Sequence, residues 1–430
     1  MPAQYANVTN QVAALKELYT GDDYMKDLVY KKNPLLALIP KDEAPSGFAG
    51  KYIPVPLVYG TPQGRSASFV NAQNNQTAPQ LASFFVYRVS NYQLVTITNE
   101  LLEATKDNAG AFVDEAKLNM DTGFRNLSND LAHDLYASGT GSRGQIGSVV
   151  TGGTPVITIT LADATSVVQF EVGMVLLVST TLTDGSAPSV DFVTITGVNR
   201  PAGILTGNSS TATSAALSAP WSLANSFLYV QGDIPATGAT GTGSFLKMSG
   251  LAAWMPTSAV GGGDSFWNVN RSADSRMQGV FYNGIAQPVE EALIDGSSLV
   301  AREGGQPDMA FVSFATYSAL EKSLGAKVQY VDVKHDEAEI AFAGIRIHAP
   351  YGPITVIPDR NCTPKTAYLL QMDTWKLRSL GKAPHVLTYG LEGLEGIRVG
   401  TADALEVRIG LYGNLICNAP GWNCVIQLGV

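Results

Sequence analysis

Charge is scarce in this chain: Asp, Glu, Lys and Arg make up 15% of its 430 residues, against roughly 25% in an ordinary soluble protein. What charge there is leans acidic, 37 Asp and Glu against 28 Lys and Arg, and no basic cluster occurs that would grip a phosphate backbone. Nucleic-acid binding is therefore not expected as the primary task. Cysteine is equally sparse. Cys362, Cys417 and Cys424 are an odd number in a long chain, so no disulfide framework is implied, and buried free thiols made in a reducing cytosol are expected. No apolar run approaches the ~18 residues of a membrane span; the strongest, Met174 to Val178, is strand-sized. A secretory signal is not expected either, because Lys16, Glu17, Asp22 and Asp23 interrupt the beginning of the chain.

The motifs of catalysis are missing too. There is no GxxxxGK[ST] phosphate loop, no HExxH zinc helix and no GxSxG nucleophile elbow. Gly139-Thr140-Gly141-Ser142-Arg143-Gly144 spells GxGxxG, but a helical pattern precedes it and β structure follows, the reverse of a dinucleotide site, so a flexible linker is expected. His133, His335, His348 and His385 are scattered, and His335-Asp336-Glu337 reads as a solvated turn. Glu290 and Glu291 point different ways on a helix, and Cys417 and Cys424 lack zinc-knuckle spacing. Trp221, Trp254, Trp267, Trp375 and Trp422 are spread out, as core or interface anchors would be. No catalytic, metal or cofactor site is expected.

What the chain has in quantity is apolar residues (45%) and glycine (43). That excludes disorder, which needs low hydrophobicity, and suits β-rich structure or a surface largely covered by something else. The first 45 residues are mixed, with Val12, Leu15 and Leu18 at helical spacing and Pro34, Pro40 and Pro45 as breakers, and read as an arm lying on something larger. Tyr52 to Tyr59 and Phe84 to Ile97 are rich in aromatic and β-branched residues and predict two strands, the first confined to an edge by Pro54 and Pro56. The long polar loop between them makes a projecting ribbon, and a two-stranded ribbon needs a partner surface.

From Asn99 to Ser138 the period changes. Val113, Ala116, Met120, Phe124, Leu127, Leu131 and Leu135 form the stripe of a long amphipathic helix, weakened at Gly110 and Gly123 by about 1 kcal/mol each relative to Ala, so bending is expected there. Between Gly144 and Leu246 only six charged residues occur. Short strands at Val156–Leu161, Gly173–Ser179, Phe192–Val198 and Ser226–Val230 alternate with turns, as in an inserted β-barrel or sandwich. From Lys247 an α/β pattern follows: helix Pro288–Glu303, strand Met309–Phe314, helix Tyr317–Leu324, strands Lys327–Val333, Ile340–Ala349 and Ile354–Pro358, and an alternating strand through Leu405, Val407, Ile409 and Leu411.

The order of these parts, with Phe342-Ala343-Gly344-Ile345-Arg346-Ile347, Gly352 to Arg360, Ala367 to Leu370 and Asp373 to Leu377, resembles the major capsid proteins of tailed bacteriophages and their Hong Kong 97-like fold. Phe311-Val312-Ser313 followed by Tyr317 and Leu320 resembles the strand-to-helix step before them. The expected class is α+β, with an inserted all-β domain that the resemblance does not cover. Outside the insertion (144–247), which composition marks, the resemblance implies an N-terminal arm (1–45), an extended loop (46–98), a spine helix (99–143), and an axial domain with returning peripheral strands (248–430).

The implied function is a structural shell: copies of the chain joined as hexamers and pentamers of an icosahedral virion, made in the bacterial cytoplasm and enclosing DNA without reading it. Tyr59, Arg65, Phe69 and Phe84 are the expected subunit contacts. Some members of the family cross-link through a loop lysine, but no lysine lies between Lys51 and Lys106, so cohesion without covalent bonds is expected. The short stretch before the ribbon predicts a separate scaffolding protein, and portal and decoration proteins are further expected partners. The insertion is expected to face outward or to brace neighbours. Two other readings stand beside this one: an encapsulin-type compartment, and a β-rich ligand- or carbohydrate-binding protein or enzyme.

Overall fold

The computed structural model describes residues 33–43, 50–98, 115–151, 156–182, 191–209, 221, 224–235, 245–258, 265–324, 330–335, 338–387, 397–398, 400 and 402–429. In chain order the elements are α1 (Pro34–Leu38), β1 (Lys41–Asp42), β2 (Tyr52–Gly60), α2 (Phe69–Asn74), β3 (Gln80–Tyr87), β4 (Val89–Thr98) and α3 (Glu115–Asp134). Then come β5 (Ser142–Thr151), β6 (Val156–Leu161), β7 (Val175–Ser179), β8 (Val193–Asn199), β9 (Ile204–Ser209), β10 (Phe227–Val230), α4 (Leu251–Trp254), β11 (Ser265–Phe266) and β12 (Val269–Asn270). The last part holds β13 (Val280–Gly284), α5 (Val289–Arg302), β14 (Met309–Val312), α6 (Phe314–Leu324), β15 (Tyr330–His335), β16 (Ala338–Ala349), β17 (Gly352–Pro358), β18 (Thr366–Leu370), β19 (Trp375–Ser379), β20 (His385–Val386), β21 (Ile397–Arg398), β22 (Ala404–Cys417) and β23 (Cys424–Leu428).

Two compact units share these elements. The first takes its described residues from 90–131 and 381–412, the second from 33–89, 132–380 and 413–430. In the first unit α3 lies on β4 and on the beginning of β22, which also pairs with β20 and β21. Val95, Ile97, Leu127, Val407 and Ile409 are its buried core, with Met120 and Phe124 packed against them. The helical spacing of Met120, Phe124 and Leu127 thus meets the strict alternation of Val407 and Ile409. The helix runs unbroken through Gly123 because the missing side chain leaves room for the strands: a Cβ there would stand 2.6 Å from Val95 Cγ2 and 3.2 Å from Ile409 Cδ1. Gly110, Val113 and the side chain of Ala116 lie outside the described residues.

The second unit is built on a seven-stranded mixed sheet, β13-β23-β18-β14-β17-β16-β15. Helix α5 covers it through Val289, Ala292, Leu293, Gly296 and Val300, the recurrence of one helical face. Strand β14 stops at Val312, two residues short of the sequence expectation, because Ser313 turns the chain: its Oγ accepts the Thr316 amide at 3.3 Å and α6 begins at Phe314.

The insertion is a closed six-stranded barrel, β10-β5-β6-β9-β8-β7. Its interior is filled by alternate residues, among them Ile157, Ile159 and Leu161 of β6, with Trp221 and Phe170. Register shifts at Gly147 and Thr196 bend β5 and β8 enough to close it. Of its six strands, β5 and β9 were not anticipated, and β5 begins at Ser142, inside the GxGxxG sequence. That sequence is not a flexible linker. Gly139, Thr140 and Gly141 are buried, both glycines take positive φ (86° and 82°), and a Cβ on Gly141 would stand 2.6 Å from the Asp233 carbonyl oxygen. Only glycine has both the conformation and the volume for this crossing.

Charge is concentrated at that crossing. Lys247 and Asp233 pair at 3.1 Å, Lys247 and Arg143 are each 7% exposed, and His133 and Asp134 are buried at the end of α3. Burial lowers the His133 pKa to about 4, reinforced by the Lys247 charge. Burial raises the Asp134 carboxyl to about 7, although Lys247 pulls it down.

Candidate assembly surface

Among the described residues no group of His, Cys, Asp and Glu could hold a metal, and no helix is long and apolar enough to cross a membrane. His335 pairs with Ala338 across the β15–β16 turn, and Asp336 and Glu337 lie outside the described residues. All three cysteines are free and buried, and burial raises each thiol pKa, Cys417 to about 12. These thiols are poor nucleophiles.

What stands out instead is the ribbon of β2 and β3. The two strands pair antiparallel from Tyr52↔Tyr87 to Gly60↔Gln80. Its base is fixed: Ile53, Val55, Phe84 and Val86 are at most 5% exposed. The Phe84 ring meets Trp254 edge-on at 5.2 Å and Phe266 at 6.2 Å, Trp254 also meets Phe266 at 4.9 Å, and the Arg271 guanidinium lies 4.1 Å over Phe266. The Phe85 amide donates to the Trp267 carbonyl at 3.0 Å. This aromatic socket corrects one expectation. Phe84 is wholly covered by its own subunit and anchors the ribbon, offering no surface to a neighbour.

Beyond the socket the covering ends. Val58 and Leu81 are 62% and 67% exposed, and Tyr59 is half-buried. At the tip, which the sequence presented as an irregular loop, α2 lifts Phe69 to 82% and Val70 to 63% exposure. The tip is tied off where the Thr77 amide donates to the Gln63 carbonyl (2.8 Å) and the Gln63 amide to Thr77 Oγ1 (2.9 Å). Arg65 is exposed on the rim of the cavity this encloses. The expected continuous strand Phe84–Ile97 is two strands: at Arg88 the chain leaves β3, paired with β2, and becomes β4, paired with β22. Tyr92 and Leu94 of β4 are 49% and 44% exposed.

A second feature concerns the chain leading into the ribbon. Residues 33–42 are fastened to the second unit by buried Leu35, Leu38 and Ile39, by parallel pairing of β1 with β19, and by an Asp42–Arg378 pair at 2.8 Å. The hub is Asp359, 1% exposed. Its Oδ2 accepts the Tyr136 hydroxyl at 2.9 Å and the Leu35 amide at 3.4 Å, while Oδ1 accepts the Asn361 amide at 2.9 Å. Burial raises this carboxyl's pKa, and the three donors oppose the rise. No sequence signal marked Asp359 as a hub, since two of its three partners, Leu35 and Tyr136, are distant in the chain.

Comparison with known proteins gives this geometry a context. Residues 222–389 match the model of the SU10 major capsid protein family. The capsid protein in the asymmetric unit of cyanophage A-1(L) superposes with a TM-score of 0.53 at 12% identity, over 96% of this chain and 98% of that one. An encapsulin from Synechococcus elongatus PCC 7942 (TM-score 0.44, 9% identity, 97% and 94% covered) and the capsid of a native GTA particle (0.46, 10%, 97% and 99%) are more distant. No curated protein sequence matches.

Proposed function

We infer that this chain, a tailed-phage major capsid protein with the Hong Kong 97-like fold, joins copies of itself as hexamers and pentamers of an icosahedral shell around double-stranded DNA. The observation that carries the reading is the projecting ribbon. Its base is locked in an aromatic socket, while Val58, Phe69, Val70 and Leu81 stand uncovered. A two-stranded ribbon with such a surface is marginal in water and is stabilised by burial against another molecule. Many symmetric copies, each burying a modest area, give a strong assembly from weak contacts.

In this reading residues 1–45 are the arm, 46–98 the extended loop, 99–143 the spine, 144–247 the insertion, and 248–430 the axial domain with returning strands. Tyr59, Arg65 and Phe69 are the subunit contacts, and Gly110 and Gly123 the places where the spine bends when a precursor shell expands. No catalytic role is proposed. A separate scaffolding protein, a portal and a decoration protein are the proposed partners, cohesion is non-covalent, and the insertion faces outward or braces neighbours. Electron microscopy and light scattering of protein co-expressed with its scaffold test this. Closed icosahedral particles are the expected result, and a persistent monomer refutes it. Particles filled with a protein cargo in place of DNA would favour a compartment shell.

A further inference from the structure

The tip of the ribbon holds a feature that apolar burial does not account for. Between residues 61 and 77 lies an open cavity of about 750 Å³, lined in part by Thr61, Gln63, Arg65, Phe69, Gln73 and Gln76. Its volume is in the range of about 300–1,000 Å³ typical of built binding sites. Residues 61–79 contain one charged side chain, Arg65, and no Asp, Glu or Lys. Arg65 is exposed and makes no hydrogen bond or ion pair among the described residues. Four other arginines pair with carboxylates of their own chain, Arg200 with Glu171, Arg276 with Asp274, Arg378 with Asp42 and Arg408 with Glu406, at 2.6–2.8 Å, while Arg271 and Arg360 donate to carbonyls of Ala253 and Val168.

We propose that the tip cavity is a receptor for an acidic segment of a second copy of this chain, with Arg65 binding the incoming carboxylate. The proposal rests on the shell reading and names the partner chemistry of the same ribbon. A guanidinium presents a planar fork that matches a carboxylate, and Gln73 and Gln76, which also line the cavity, carry neutral amide donors, while the Gln63 side-chain amide already donates to the Thr61 carbonyl at 3.2 Å. The chain carries nine more acidic than basic groups, so acidic partners are abundant on other copies while the tip supplies none. Phe69, 82% exposed beside the cavity, is the apolar flank that shields the pair from water once the partner is seated. A pair so shielded is screened less by salt than an open one.

The test uses full-length protein with its scaffold. Wild type, Arg65→Ala, Arg65→Glu and Arg65→Lys are compared for the concentration at which particles form, with circular dichroism confirming an unchanged fold. The exposed position makes misfolding no concern. Arg65→Ala should raise that concentration by about 1.5- to 5-fold, the range of a single partly exposed ion pair. Arg65→Glu should raise it further, and Arg65→Lys, which keeps the charge but not the fork, should fall between wild type and Arg65→Ala. In assembled Arg65→Lys particles a zero-length carbodiimide should join the introduced amine to a carboxylate of another copy as an amide, seen as dimers on denaturing gels and located by mass spectrometry.

Equal assembly of Arg65→Glu and wild type, or a cross-link in the Arg65→Lys particles confined to its own chain, overturns the proposal while leaving the shell reading intact. Absence of particles from wild type as well removes both.

Discussion

Replacing Gly123 by alanine sets two effects of opposite sign against each other within α3. In a solvent-exposed helix the change would stabilise by about 1 kcal/mol, the difference in helix propensity. Here the added methyl would stand 2.6 Å from Val95 Cγ2 and 3.2 Å from Ile409 Cδ1, inside a core of five buried residues. Overpacking of this kind costs roughly 1–3 kcal/mol, because so small a core has little else to move. The net expectation is a loss of about 0–2 kcal/mol.

A double-mutant cycle separates the terms. Val95→Ala alone removes two methyl groups and should cost about 2 kcal/mol. In the double variant the alanine at 123 fills space the valine vacated, so the two costs should fall short of additivity by about 1–2 kcal/mol. Hydrogen exchange of amides in 115–134 reads this locally, which matters where two compact units need not unfold together. If Gly123→Ala stabilises by about 1 kcal/mol and the cycle is additive, the helix does not press on the strands as described and the close-packing argument fails. The same variant bears on the proposed bend: normal particles that fail to expand would show that Gly123 serves motion as well as packing.

Three further outcomes are expected. Asp134, raised to about 7 from 3.8, contributes stability that is fully present below pH 3.8 and lost as pH rises through 7, whereas His133, lowered to about 4 from 6.5, contributes stability present above 6.5 and lost as pH falls toward 4. Between about pH 4 and 6.5 the two slopes oppose. Denaturation across that window should therefore show Asp134→Asn losing stability as the solution is acidified and His133→Gln gaining it, with wild type flatter than either; parallel slopes in all three would refute the assignment. Asp359→Ala should cost about 2–4 kcal/mol in thermal or urea unfolding, since it strands the Tyr136 hydroxyl and the Leu35 and Asn361 amides, and Tyr136→Phe should cost only about 1. Cys362, Cys417 and Cys424 should resist a thiol reagent in the folded protein and all react once it is unfolded; rapid labelling of the native chain would contradict their burial.

Much of this architecture is written in local periodicity. The 3.6-residue recurrence of Met120, Phe124, Leu127 and Leu131 specified a helix, and the alternation of Leu405, Val407, Ile409 and Leu411 a half-buried strand, because each period has one backbone geometry that gathers its apolar side chains on one face. The ribbon was legible in the same way, from two β-branched stretches around a long polar loop. The six-residue helix at its tip was not: it has no side-chain cap and no buried residue, and a helix this short has little propensity of its own.

Phe69 and Phe84 mark the boundary between the two kinds of information. Both are phenylalanines of the ribbon, and both were read as subunit contacts. One is 82% exposed and the other fully buried, because Trp254 and Phe266, more than 150 residues away in the chain, arrive at Phe84, and among the described residues none covers Phe69 in this way. The change of partner at Arg88, the closing of six strands into a barrel, and the convergence of Leu35 and Tyr136 on Asp359, 324 and 223 residues away, belong to the same class. Local spacing determines what each segment becomes, since it acts over neighbouring residues. Which segments meet is decided by the burial and pairing free energy of the whole chain, and that is a property of the tertiary structure.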